Sequence, residues 1–211
     1  MNHHRRRRRS VSAALCAAVL VALSGCAAEG EPAATPPARI VESAAPAPTA
    51  AAPAAKPLAR SLPVRVQLPS AGVDARNVME LGLNADGTVE VPPVARADRI
   101  GWYGKGVTPG ETGPAVLIGH FDTARGPAVL KDVAKVRVGD EITVTRADGA
   151  AAVFRVRELE QVGKDAFPTA KVYGDTRRPE LRVITCGGEI VDGHRPDNII
   201  LYADLAGVRP A

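Results

Sequence analysis

A single cysteine, Cys186, ends the apolar run "LRVIT" and is followed at once by Gly187 and Gly188. A thiol so placed can serve as a nucleophile if a base takes its proton and a donor meets the negative charge that develops on the attacked carbonyl oxygen. Few bases are on offer. Beyond its N-terminal leader the chain has only two histidines, His120 in "AVLIGHFDT" and His194 in the polar loop "VDGHRPDN". Taken singly, each residue has a plainer reading. A lone cysteine is more often a small buried hydrophobe with an inert thiol, and a lone histidine a surface or packing residue. Their placement is what raises the chemistry: both His120 and Cys186 stand where an apolar strand opens into a loop.

The elements that would position them are short and rich in β-branched residues. Strands are predicted over 64–68, 88–91, 115–119, 141–146, 151–160, 181–185 and 198–205, separated by "NADG", "VPP", "RADG" and "GG". "TVTRADGAAAVFRV" reads as a hairpin with Asp148-Gly149 at its tip. Only "PAVLKDVAKV" (127–136) has helical spacing. Alternation along 181–186 puts Leu181, Val183 and Thr185 on one face of a strand, with Arg182, Ile184 and Cys186 on the other. The roughly 150 residues from Ser61 onward are enough for one domain with its own core. The pattern is that of a mostly-β domain, a barrel or sandwich with one or two short helices.

The start of the chain speaks to compartment. Arg5 to Arg9 form a positive n-region, and the apolar stretch over 11–23 is short for a membrane span. It runs into "LSGC", a lipobox, which predicts a lipoprotein signal peptide over 1–25, cleavage before Cys26 and a lipid on the Cys26 thiol. The alternatives are an ordinary signal peptide or an uncleaved N-terminal anchor. With Cys16 removed and Cys26 lipidated, Cys186 is the one free thiol left of the three cysteines, and no internal disulfide is possible. Setting aside the five leader arginines leaves 22 basic against 23 acidic residues, so the formal +4 belongs to targeting and nucleic acid is excluded as a partner. Residues 26–60 are mostly Ala and Pro and read as a disordered tether. Fully extended, that tether reaches up to roughly 100 Å.

"VITC" followed by "GG", with "GHFDT" 66 residues upstream and "RPDNIILYA" downstream, resembles the sortase signature. The resemblance extends through "VPPVARADRIGWYGKGVTPGETGPAVLIGHFDT", "VRVGDEITVTRADG" and "GKDAFPTAKVYG", covers most of residues 61–206, and is nearest to the class E/F group of Gram-positive actinobacteria. It implies a closed, eight-stranded sortase-like β-barrel over 61–211. It further implies a cysteine transpeptidase (a cysteine-peptidase type of enzyme) with no cofactor, held at the extracellular face of the cytoplasmic membrane. Its partners would be proteins carrying an LPxTG-like sorting signal and an amine nucleophile from a cell-wall precursor or pilin. By the same resemblance Cys186 attacks the Thr–Gly amide, His120 moves the proton, and an arginine donates hydrogen bonds to the oxyanion or substrate backbone. One departure is that the family's "T-L-x-T-C" reads Arg182-Val183-Ile184-Thr185-Cys186 here.

Arg195 is the preferred arginine, because it opens the last predicted strand nine residues after Cys186. Arg182 shares a face with the thiol but lies four residues back, about 13 Å along a strand, and reads as a solvated strand residue. Arg177 and Arg178 read as a surface pair, and Asn198 is a possible donor if the strand register shifts. Thr185 is a candidate for lining the acyl site. Asp122 reads as a turn cap, or as a carboxylate orienting the histidine or ligating a metal, and Trp102 and Tyr103 as packing residues. Other wall enzymes fail on residue order: NlpC/P60-type peptidases place cysteine before histidine, and the "S-x-G-C-R" of L,D-transpeptidases is missing. The alternative of a different class is a non-catalytic, cell-wall-binding lipoprotein with an inert Cys186.

Overall fold

The computed structural model describes residues 55–211 and the short segment 41–43. The leader, Cys26 and most of the tether expected over 26–60 lie outside the described residues. The last part of that tether does not hang free of the domain. Leu58 N–H donates to the Gly110 carbonyl at 2.8 Å, Ala55 and Leu58 pack against the core, and β1 (Val41–Ser43) pairs with residues 158–160. Among the described residues no helix is long and apolar enough to cross a membrane.

The strands that follow are β2 (Pro63–Leu68), β3 (Val73–Arg76), β4 (Met79–Leu81), β5 (Ile100–Tyr103) and β6 (Gly113–Gly119). A two-residue pair, β7 (Asp122–Thr123) and β8 (Gly126–Pro127), leads to β9 (Glu141–Arg146), β10 (Ala150–Gly163), helix α1 (Thr169–Tyr173), β11 (Pro179–Gly187) and β12 (Asp197–Pro210). Hydrogen bonding orders them β3-β2-β9-β10-β12-β11-β6-β5-β4, with β1 added beside β10. The closed eight-stranded barrel expected from the sequence is therefore corrected to an open, curled sheet. Its two edge strands, β3 and β4, are separated in sequence only by Asn77 and Val78, so the sheet curls until its edges meet at that end. Asn77 adopts φ 55° and donates its N–H to Val64, which turns the chain from one edge to the other without a ladder between them.

Two apolar layers flank the central strands. The inner one gathers Val66, Leu117, Ile142, Val144, Phe154, Leu181, Val183, Ile199 and Leu201. The outer one gathers Leu81, Val116, Ile118, Val172, Ile184, Ile200 and Tyr202 under α1 and the aromatic side chains of Tyr103, Phe167 and Tyr173. Because β6, β11 and β12 are covered on both faces, their sequences are continuous apolar runs rather than clean alternations. The helix expected over 127–136 is instead a plug. Leu130, Val133 and Val136 are all fully buried against the inner layer, and only Val133–Lys135 makes a single 3₁₀ turn. The strand expected over 88–91 reduces to one bridge, Leu83 with Val89. Pro92 and Pro93 follow at once and have no N–H to extend it.

Candidate active site

β6 and β11 run parallel, with Ile118 opposite Ile184. Two more steps along each strand set His120 level with Cys186, on strands about 4.8 Å apart. Alternation within β11 puts Cys186 on the outer face with Ile184, and His120 follows directly on the last residue of β6. β12 returns antiparallel, pairing Cys186 with Asn198 and Gly187 with Asp197, so Arg195 lies just ahead of β12 at the same end of the sheet. A parallel pair plus one antiparallel return is what brings the ends of β6 and β11 and the start of β12 to one mouth.

Cys186 is half-buried and free. It lines a cavity of about 280 Å³ together with Arg195, Asp122, Lys164, Ile190 and His194. Arg195 is held on three sides. Its Nε donates to both carboxylate oxygens of Asp122 at 3.0 Å, its Nη2 donates to Asp122 Oδ2 at 2.7 Å, and its Nη1 donates to the Gly188 carbonyl. The face of the guanidinium lies 4.4 Å from the centre of the Phe121 ring. Hydrogen bonds from Arg195 hold the Asp122 carboxyl below its ordinary value, and the same bonds push Arg195 up. Gly188 has φ 80°, and a Cβ there would sit 2.9 Å from Asp197 Oδ2. Glycine at that place lets the chain turn sharply enough to aim a carbonyl at Arg195.

His120 stands one residue past the end of β6, does not line the Cys186 cavity, and has its ring engaged elsewhere. Nε2 lies 2.6 Å from the Pro92 carbonyl oxygen. A carbonyl only accepts, so Nε2 carries the hydrogen and Nδ1 is the nitrogen left to take or hold a proton. His194 lines the Cys186 cavity from the loop after β11. Thr185 is 3% exposed and alternates onto the inner face with Leu181 and Val183, away from the thiol. Its Oγ1 has no hydrogen-bond partner. Among the described residues no group of acidic, histidine and cysteine side chains could hold a metal ion.

The other arginine on the thiol's strand differs from expectation. Arg182 is 1% exposed, not solvated. It donates from Nη2 to Glu180 at 2.7 Å and stacks 4.9 Å from the Tyr202 ring. Arg178 is paired as well, with Glu180 and Asp204. Sequence reasoning missed the Asp122–Arg195 pair and the Phe121 platform. Partners 73 residues apart leave no periodic signal. The one available hint was a carboxylate two residues after His120, on a turn near an arginine in need of a counter-charge.

A family model described as the sortase domain matches residues 66–206. Among solved structures, sortase A of Listeria monocytogenes is 16% identical, with 72% of this chain and 91% of that chain covered at a TM-score of 0.51. The SrtA sortase of Actinomyces oris is 20% identical, with 77% and 89% covered at a TM-score of 0.52. A sortase D transpeptidase of Clostridium perfringens is 21% identical, with 69% and 79% covered at a TM-score of 0.51. At these identities the structural likeness speaks to fold. No curated protein matches the chain.

Proposed function

The chain belongs to the sortase family of cysteine transpeptidases, and from that premise we propose that it cleaves an LPxTG-like sorting signal between Thr and Gly. The acyl fragment is then passed to an amine of a cell-wall precursor or pilin. The Cys186 thiol passes its proton to His120, and Sγ forms the bond to the threonine carbonyl carbon. As the C–N bond to glycine breaks, His120 gives a proton to the leaving amine, and it later takes one from the incoming amine that releases the thioester. Arg195 donates N–H bonds to the carbonyl oxygen while it carries negative charge. No step calls for a cofactor. A lipid on Cys26 and the tether behind it would keep the enzyme at the outer face of the cytoplasmic membrane. The quoted motifs favour a class E/F-like assignment.

The observation that carries this reading is that Cys186 and Arg195, far apart in sequence from the His120 loop, share one cavity with Asp122 of that loop. The test is a panel of fluorogenic LPxTG-type peptides with and without an amine acceptor. Wild type should cleave at Thr–Gly, and Cys186→Ala should fold and be inactive. Turnover retained in the alanine variant would contradict the proposal.

A further inference from the structure

The tripeptide His120-Phe121-Asp122 serves two catalytic groups at once. His120 is one of them, and the next two residues grip the other. A guanidinium has five N–H donors. In Arg195 the Nε–H and one Nη2–H go to Asp122, and one Nη1–H goes to Gly188. Two N–H bonds, one on each terminal nitrogen, remain uncommitted in the cavity that Cys186 lines.

A free arginine side chain has several rotatable bonds, and immobilising it at the moment of reaction costs rotamer freedom. The Asp122 fork and the Phe121 face make that restriction part of the resting fold. The platform is itself anchored. β7 pairs Asp122 with Pro127, Ala128 N–H bonds to the Phe121 carbonyl, and Leu130 N–H bonds to the His120 carbonyl. Leu130 then plugs the inner layer beneath Gly119. Asp122 is thus tied to the core, while Arg195 comes from a loop whose neighbours Ile190 and Val191 are exposed.

We infer that Asp122 is a positioning residue for acyl transfer: it locks the plane of Arg195 so that the two free N–H bonds are presented to the carbonyl that Cys186 attacks. The inference rests on the transpeptidase reading above. Asp122 acts through Arg195, so its loss should lower kcat about 10- to 100-fold, the scale of an ångström-sized misplacement. KM should change far less. Asp122→Glu keeps the fork on a longer stem and should recover part of the loss.

A double-mutant cycle separates this from a general structural role. If Asp122 works through Arg195, adding Asp122→Ala to Arg195→Ala lowers kcat no further. If Asp122 merely holds the His120 loop in shape, the double variant is worse by the full single-variant factor, and the inference is overturned. Should Asp122→Ala fail to fold, Asp122→Asn, which keeps the volume but places an amide against the guanidinium, enters the same cycle. A second readout needs no activity. In wild type the Arg195 Nε–H should appear by nitrogen-15 NMR as a slowly exchanging proton, lost in Asp122→Asn. A wild-type Nε–H that exchanges as fast as those of exposed arginines would overturn the inference. An additive cycle in an enzyme that cleaves its peptide through Cys186 removes only the role of Asp122, whereas a wild type inert to every sorting peptide removes the functional reading and leaves the NMR result to decide on the clasp.

Discussion

Two arginine–carboxylate pairs sit near the strand that carries the thiol, and they are built to opposite ends. Arg182 and Glu180 are buried between β11, β10 and α1, where Arg157 and Arg178 also reach Glu180. Tyr202 is ringed there by Arg182, Lys171 and Arg157. Burial works against the charge on Arg182. Burial would also raise Glu180, but hydrogen bonds from Arg182 and Arg178 carry it below its ordinary value. Arg195 and Asp122 lie instead at the mouth, partly open, with donors to spare. An ion pair whose donors face protein on all sides is architecture. One that keeps free donors beside a thiol is available for chemistry.

The sharpest way to break this contrast is to alter each arginine in turn. Arg195→Lys should lose about 10² to 10³ in kcat, the cost of one oxyanion donor, because an ammonium lacks the planar fork that Asp122 grips. Arg182→Met should turn over like wild type per folded molecule while melting at lower temperature. If the two results are exchanged in a peptide-cleavage assay, the third catalytic residue has been misassigned.

The buried pair should show itself in stability. Glu180→Gln leaves Arg182 in the interior without its closest counter-charge, a change of about 3 to 5 kcal/mol in denaturant unfolding. The sign of the pH effect follows from the lowered Glu180 carboxyl. Its contribution is present in full above the unfolded value of about 4.3 and is lost as pH falls through the lower folded value. The gap between wild type and Glu180→Gln should therefore be widest near neutrality and close below about pH 4. A gap independent of pH would mean that the carboxylate is not what Arg182 depends on.

Much of the site's frame was legible in the sequence. The strand at 141–146 appears with those bounds, and β2, β6, β11 and β12 contain the expected runs, because β-branched residues repeat there between turn signals. Cys186, His120 and Arg195 could be placed at strand ends from the same pattern. What was not legible depends on residues converging from distant strands. Arg182 reads as solvated until Glu180, Lys171 and Tyr202 are seen around it, and Asp122 reads as a turn cap until Arg195 arrives. The spacing of Leu130, Val133 and Val136 imitates a helix because all three face the inner layer. β3, β4 and β5 are too short to stand out, and the open seam between β3 and β4 has no sequence signature.

The smallest expected effect concerns Thr185, whose buried hydroxyl lacks a partner. Thr185→Val removes that unpaired group at nearly constant volume and should leave stability unchanged or raise it by about 1 kcal/mol. Cleavage should be unaffected, because the side chain faces away from the cavity. A large loss of kcat with an unchanged melting temperature would return Thr185 to the acyl site.

The central claim is that Cys186 becomes acylated by a sorting signal, and intact-protein mass spectrometry tests it most directly. Wild type mixed with an LPxTG-type peptide, without an amine acceptor, should gain the mass of the fragment ending at threonine. Digestion should locate that fragment on Cys186, and hydroxylamine should release it. Cleavage that proceeds with no adduct, and persists in Cys186→Ala, would contradict the account.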